Sequence, residues 1–211
     1  MGGYDKKKWI ARLAQRSDLS ACLTHLTRSN PKIGPSLDPV VVLFKILREK
    51  KLIGSTPQSG FLHGTKNAVC FQDAPPHSVV QNLWFEQKLR ESGGKIRYEP
   101  CGLMVSKPYV FRKGGRPVVY DKPEAAKAYL PPEEWWRIVH LDLGDDSAFV
   151  DWTHEREWRV AGDFDFELDK AYVPLVSKDA YHHFIELCRA YTEEDILSQL
   201  SGVVTLSPLL F

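Results

Sequence analysis

Asp151-Trp-Thr-His-Glu-Arg-Glu-Trp-Arg159 gathers acids, bases and aromatic rings that could move protons or hold charge. If the segment is extended, residues two apart share a face, so Glu155, Glu157 and Arg159 project together. Two like carboxylates held side by side raise at least one pKa unless a cation compensates. The competing interpretation is an edge strand whose charged face meets water, with Arg156 and Arg159 supplying ion pairs. Asp151, His154, Glu155 and Glu157 also raise the prospect of a metal-dependent nuclease or hydrolase. Their spacing is not His-Glu-x-x-His, and no compact set of three or four ligands stands out, so no metal is expected.

Three other segments carry chemistry. Thr24-His25-Leu26-Thr27 places His25 and Thr27 on one face of a strand, where both offer directional hydrogen bonds. A lone strand histidine equally serves as a satisfied core residue. Cys70-Phe71-Gln72-Asp73-Ala-Pro-Pro76 reads as a strand that stops at a proline turn, with an aromatic ring and polar groups at its mouth. Residues 107–116 hold four cations (Lys107, Arg112, Lys113, Arg116), the aromatics Tyr109 and Phe111, and no acid. Cations contact phosphates and rings stack on unpaired bases, so single-stranded DNA or RNA is a candidate partner. The alternative is a basic hairpin whose rings pack inward.

The elements that must position these groups follow from periodicity and punctuation. Residues 5–16 form a short amphipathic helix with Trp9, Ile10 and Leu13 on one face, and 22–27 a strand. Asp38-Pro39 opens a strong helix, with Asp38 as N-cap, Pro39 at the first helical position and Val40, Leu43, Phe44 and Leu47 along one stripe. Its end near Lys50-Lys51 places cations at the helix C-terminus. Residues 68–72 form a buried strand, and a helix over 78–91 stops at Gly93-Gly94. Short strands at 102–105 and 117–120 flank residues 107–115. A helix or turn begins at 131–136. Further strands fall at 138–143, 155–160 and 171–176, before helices near 178–190 and 192–200. Helices and strands do not alternate regularly and no glycine-rich phosphate loop is present, which predicts α+β rather than a doubly wound sheet.

Composition bounds the class. At 211 residues, 43% apolar and 26% charged, the chain has the make-up of one folded domain spanning 1–211. No apolar run approaches a membrane span, and the basic N-terminus lacks the apolar stretch of a secretory signal, so a cytoplasmic protein is expected. The four cysteines form no CxxC pair, which favours reduced thiols over a zinc knuckle or disulfide framework. Residues 1–60 hold eleven Lys/Arg against four Asp/Glu, whereas 161–211 hold three against nine. The basic front edge could meet a nucleic acid or acidic partner, or remain a solvated surface.

The order of the motifs resembles that of the ADP-ribosyltransferase fold. The sequence runs from His-x-Thr on an early strand, through a helix ending in the 47–54 region and Phe-x-Asp on a middle strand, to Glu-x-Glu on a late strand. It is particularly similar to the branch of bacterial toxins and phage-defence proteins with a His-x-Thr strand. It also resembles abortive-infection families sharing "vCF-x-D-x-P", "GL-x-x-x-K", "GG-x-RPV-x-Y" and "E-x-E-[WY]-R". These correspond to residues 69–75, 102–107, 114–120 and 155–159, and the resemblance covers roughly 22–177. It implies a split mixed or antiparallel sheet core with flanking helices, and NAD as substrate. It further implies cleavage of the nicotinamide–ribose bond through an oxocarbenium-like transition state. By the same resemblance, Glu157 stabilises the developing charge and Glu155 orients or deprotonates the acceptor. His25 and Thr27 hold the adenosine ribose or nicotinamide amide, Phe71 stacks on the nicotinamide, and Asp73 completes the NAD site. The acceptor would be a nucleic acid or protein, and a cognate antitoxin is a further expected partner. Two departures stand out: Phe71-Gln72-Asp73 replaces the family's Ser-Thr-Ser, and His25 stands where arginine is usual. A non-catalytic antitoxin or sensor partner of a defence system is the alternative function.

Overall fold

A computed structural model describes residues 4–27, 38–91 and 101–209. The chain begins with α1 (Lys6–Ala14), β1 (Cys22–Leu26), α2 (Pro39–Glu49), β2 (Lys51–Leu52), β3 (Ala68–Gln72) and α3 (Pro76–Glu91). It continues with β4 (Gly102–Ser106), α4 (Lys107–Arg112), β5 (Arg116–Pro117), β6 (Val119–Asp121), α5 (Pro123–Tyr129) and β7 (Ile138–His140). The last elements are β8 (Glu157–Ala161), β9 (Phe164–Asp165), β10 (Ala171–Leu175), α6 (Lys178–Ala190), α7 (Ile196–Gln199) and β11 (Gly202–Thr205). The class is α+β, with helices accompanying strands that pair both parallel and antiparallel. Among the described residues, no helix is long and apolar enough to cross a membrane.

The chain divides into two compact units. One comprises residues 1–50, 74–106 and 167–211, the other 51–73 and 107–166. No linker marks the borders because each falls between consecutive elements: α2 ends one residue before the first, and β4 runs directly into α4 at the third.

In the first unit the strands run in the order β11-β10-β4-β1, with β10 parallel to β11 and antiparallel to β4, and β4 antiparallel to β1. Its α2 forms for the reasons the sequence suggests. Asp38 accepts the Val40 N–H at 2.8 Å, satisfying a donor that the first helical turn leaves open. Val40, Leu43, Phe44 and Leu47 are buried as one stripe, and α2 packs against α6. The helix ends at Lys50 in a left-handed conformation (φ 52°), and the Lys50 ammonium reaches Glu194 at 2.8 Å. β1 and β4 approach so closely at Gly102 that a Cβ there would lie 2.2 Å from the His25 carbonyl oxygen.

The second unit contains the antiparallel sheet β3-β8-β5, the antiparallel pair β2–β9 and the parallel pair β6–β7. In the β3–β8 ladder Cys70 faces Arg159, Phe71 faces Trp158 and Gln72 faces Glu157. Alternation therefore places Cys70, Gln72, Glu157 and Arg159 on one side, and Phe71 and Trp158 on the other. The apolar side meets an aromatic core in which Phe164 lies edge-on to both Phe71 (5.2 Å) and Tyr109 (6.0 Å). Residues 107–112, which the sequence leaves between two short strands, form α4. Pro108 suits a first helical turn, while Tyr109 and Val110 bury one side and Gly114, at φ 90°, turns the chain out.

Candidate functional site

The polar side of β3–β8 is built around Arg159, which is only 3% exposed. Its Nε donates to Glu157 Oε1 at 2.7 Å and its Nη2 to Oε2 at 3.2 Å, a two-pronged ion pair. The remaining donors reach the carbonyls of Trp136 (2.8 Å), Ile138 (3.1 Å) and Phe61 (3.3 Å). Burial, the largest single influence, would lower the Arg159 pKa, but the charges and hydrogen bonds of Glu157 and Cys70 together raise it. Glu157 is thus an oriented carboxylate with a fixed countercharge. Beside them, burial first and the Glu157 charge second push the Cys70 thiol far above its usual range, while Arg159 opposes the shift. Cys70 is a protonated thiol at neutral pH rather than a nucleophile.

Glu155 and Glu157 do not share a strand face as the Glu-x-Glu spacing predicts. Thr153–Glu155 is a 3-10 turn, and Arg156 follows in the left-handed region at φ 45°, so the extended chain starts only at Glu157. The turn sends Glu155 inward, where it is 7% exposed and accepts a hydrogen bond from the Gln72 amide. His154 Nε2 lies 3.6 Å from its other oxygen. The two carboxylates still act on one common group, Tyr120. The Tyr120 hydroxyl accepts the Glu157 main-chain N–H at 2.8 Å, and both carboxylates act on its ionisation.

Asp73 follows directly on β3, and its N–H donates to the Arg156 carbonyl at 3.0 Å. One carboxylate oxygen, Oδ2, receives Lys107 Nζ at 2.7 Å. The other, Oδ1, is buried without a hydrogen-bond partner among the described residues. An orphaned buried acceptor costs about 1–3 kcal/mol, so a hydroxyl or amide donor brought by a ligand would recover a real deficit.

Other expected site residues have different surroundings. Phe71 is 1% exposed and packs on Phe164, on the side of β3 away from Glu157, so the expected stacking on a ligand held by Glu157 does not fall to this ring. Tyr109 is buried too, and Lys113 Nζ lies 5.2 Å from its ring centroid. Arg116 stacks over Phe111 at 4.1 Å and donates to the carbonyls of Phe111 and Gly115. Lys107 is committed to Asp73, and Arg112 is exposed. In the first unit, the Thr27 hydroxyl donates to the Cys101 carbonyl at 3.0 Å and is buried. His25 is half-buried on β1, opposite Leu103.

Gln72 and Tyr120 were not singled out as site residues by the sequence. Tyr120 does close the "RPV-x-Y" segment, but its contact with Glu157 depends on a strand approach that spacing does not encode. Among the described residues, no group of three or more His, Cys, Asp or Glu is placed to hold a metal ion. Among the described residues, no cysteine is in a disulfide. Comparison with protein-family profiles, characterised proteins and solved structures finds no match to this chain.

Proposed function

We propose that the chain is an NAD-dependent ADP-ribosyltransferase of the toxin or phage-defence kind, acting in the cytoplasm and restrained by a cognate antitoxin. The observation that carries this reading is the β3–β8 register. It sets Gln72 opposite Glu157, so that two motifs remote in sequence converge on one pair of carboxylates with an unsatisfied Asp73 oxygen near the strand end. In this reading the bond between the ribose anomeric carbon and the nicotinamide nitrogen breaks. Nicotinamide leaves with the electron pair, and Glu157, oriented by Arg159, stabilises the positive charge that develops on the sugar. An acceptor nucleophile then bonds to the anomeric carbon, and its proton passes to Glu155 or solvent. Asp73 holds a hydroxyl or the carboxamide. With the cations of 107–116 largely turned onto their own unit, the acceptor, nucleic acid or protein, is a matter for assay.

The test incubates labelled NAD with purified protein, alone and with cellular RNA, DNA or protein, and compares wild type with Glu157→Gln. Wild type is expected to release nicotinamide and label one acceptor class, and the variant to do so roughly 10²-fold or more slowly. A thermal melt of the variant separates lost chemistry from lost fold. Wild-type protein that neither binds nor turns over NAD with any acceptor would overturn the reading and leave the role of a non-catalytic antitoxin or sensor.

A further inference from the structure

Tyr120 stands on β6, whose pairing with β7 braces it, and its hydroxyl oxygen is fixed by the Glu157 main-chain N–H at 2.8 Å. A phenol has one proton to give, and among the described residues no acceptor takes it. Glu157 and Glu155 both lie near enough to act on the phenol electrostatically. Two carboxylates alone would favour a cation. A carboxylate beside a phenolic donor offers one acceptor and one donor together, which matches a group that both gives and receives a hydrogen bond, as a sugar hydroxyl does. We propose that Tyr120 is a substrate-binding group of this site, donating its proton to a ribose hydroxyl oxygen whose own proton Glu157 accepts. The proposal rests on the ADP-ribosyl-transfer reading and deepens it by assigning the donor half of the ribose contact. Burial, with the two carboxylate charges behind it, pushes the phenol's ionisation up to about 12, so the proton is in place throughout the neutral range.

A purely structural Tyr120 would cap the Glu157 N–H and nothing more, so the test must read the ribose itself. Calorimetric titration compares ADP-ribose with ADP, which lacks the second ribose, on wild type, Tyr120→Phe and protein carrying 3-fluorotyrosine at position 120. Tyr120→Phe is expected to weaken ADP-ribose by about tenfold while leaving ADP unchanged, the size of one neutral hydrogen bond. Equal weakening of both ligands, or of neither, overturns the proposal while leaving the transferase reading standing. Should Tyr120→Phe fail to fold, the fluorinated phenol decides. It is a stronger donor of nearly the same size, so ADP-ribose tightens with ADP unchanged if the contact exists, and an unchanged ratio overturns it. Wild-type protein that binds neither ADP-ribose nor NAD overturns the transferase reading and this inference together.

Discussion

Arg159 shows how much of the site depends on the shape of one side chain and not only on its charge. Its planar fork grips both oxygens of Glu157 and also satisfies three main-chain carbonyls, those of Phe61, Trp136 and Ile138. A lysine would keep the countercharge but has a single ammonium at the end of a flexible stem and cannot span these partners. Arg159→Lys is therefore expected to lower stability by about 2–3 kcal/mol, because buried carbonyls lose their donors. Glu157→Gln should cost less, since an amide oxygen still accepts from the guanidinium. Urea unfolding of the two variants checks the order. If Glu157→Gln costs as much as Arg159→Lys, the charge of the pair dominates and the fork geometry is secondary. The same measurement protects the activity test, because it fixes how much folded Glu157→Gln protein is being assayed.

At the scale of elements, the close approach of β1 and β4 sets the sharpest steric limit. The Cβ of an alanine at 102 would sit 2.2 Å from the His25 carbonyl oxygen and 3.1 Å from the Leu26 Cα, and main-chain atoms cannot swing aside as a side-chain tip can. Gly102→Ala is expected to cost about 2 kcal/mol or more, read as a lowered thermal midpoint. An unchanged midpoint would mean that the two strands separate there at little cost. Much of this level was legible in the sequence. Asp38-Pro39 and the Val40–Leu47 stripe specify α2 locally, and the apolar run at 68–72 specifies β3. What was not legible depends on long-range or unusual local geometry. Glu155 leaves the strand because Arg156 adopts a left-handed conformation that a sequence signals with glycine, not arginine. The two-residue strands β2 and β9 are too short to show a period, and they exist because Leu52 and Phe164 meet across 111 intervening positions. The candidate site was legible in part for the same reason. The acids could be named from composition and spacing, whereas Gln72 and Tyr120 join them only through register and packing.

Across the molecule, folding redistributes the charge that the linear sequence separates. Most of the basic first segment and of the acidic last one belongs to the same unit, whose ranges hold seventeen Lys/Arg against fourteen Asp/Glu, and the Lys50–Glu194 ion pair links them directly. The other unit, with the carboxylate site, holds eleven against thirteen. The cation run at 107–116 is mostly turned onto its own unit: Lys107 to Asp73, Lys113 over Tyr109 and Arg116 over Phe111, with Arg112 exposed. Affinity for a single strand that depends on this segment should therefore respond weakly to salt. Four phosphate contacts would give log K against log salt a slope of about −3, whereas Arg112 alone would give about −0.7. Fluorescence anisotropy of a labelled oligonucleotide across a salt series distinguishes the two, with Arg112→Ala reporting whether the residual slope belongs to that residue. The shallow slope is expected. A steep one would mean that Lys107, Lys113 and Arg116 leave their present partners to meet phosphate. Release of Lys107 would in turn strip Asp73 of its cation, coupling acceptor binding to the electrostatics of the carboxylate site.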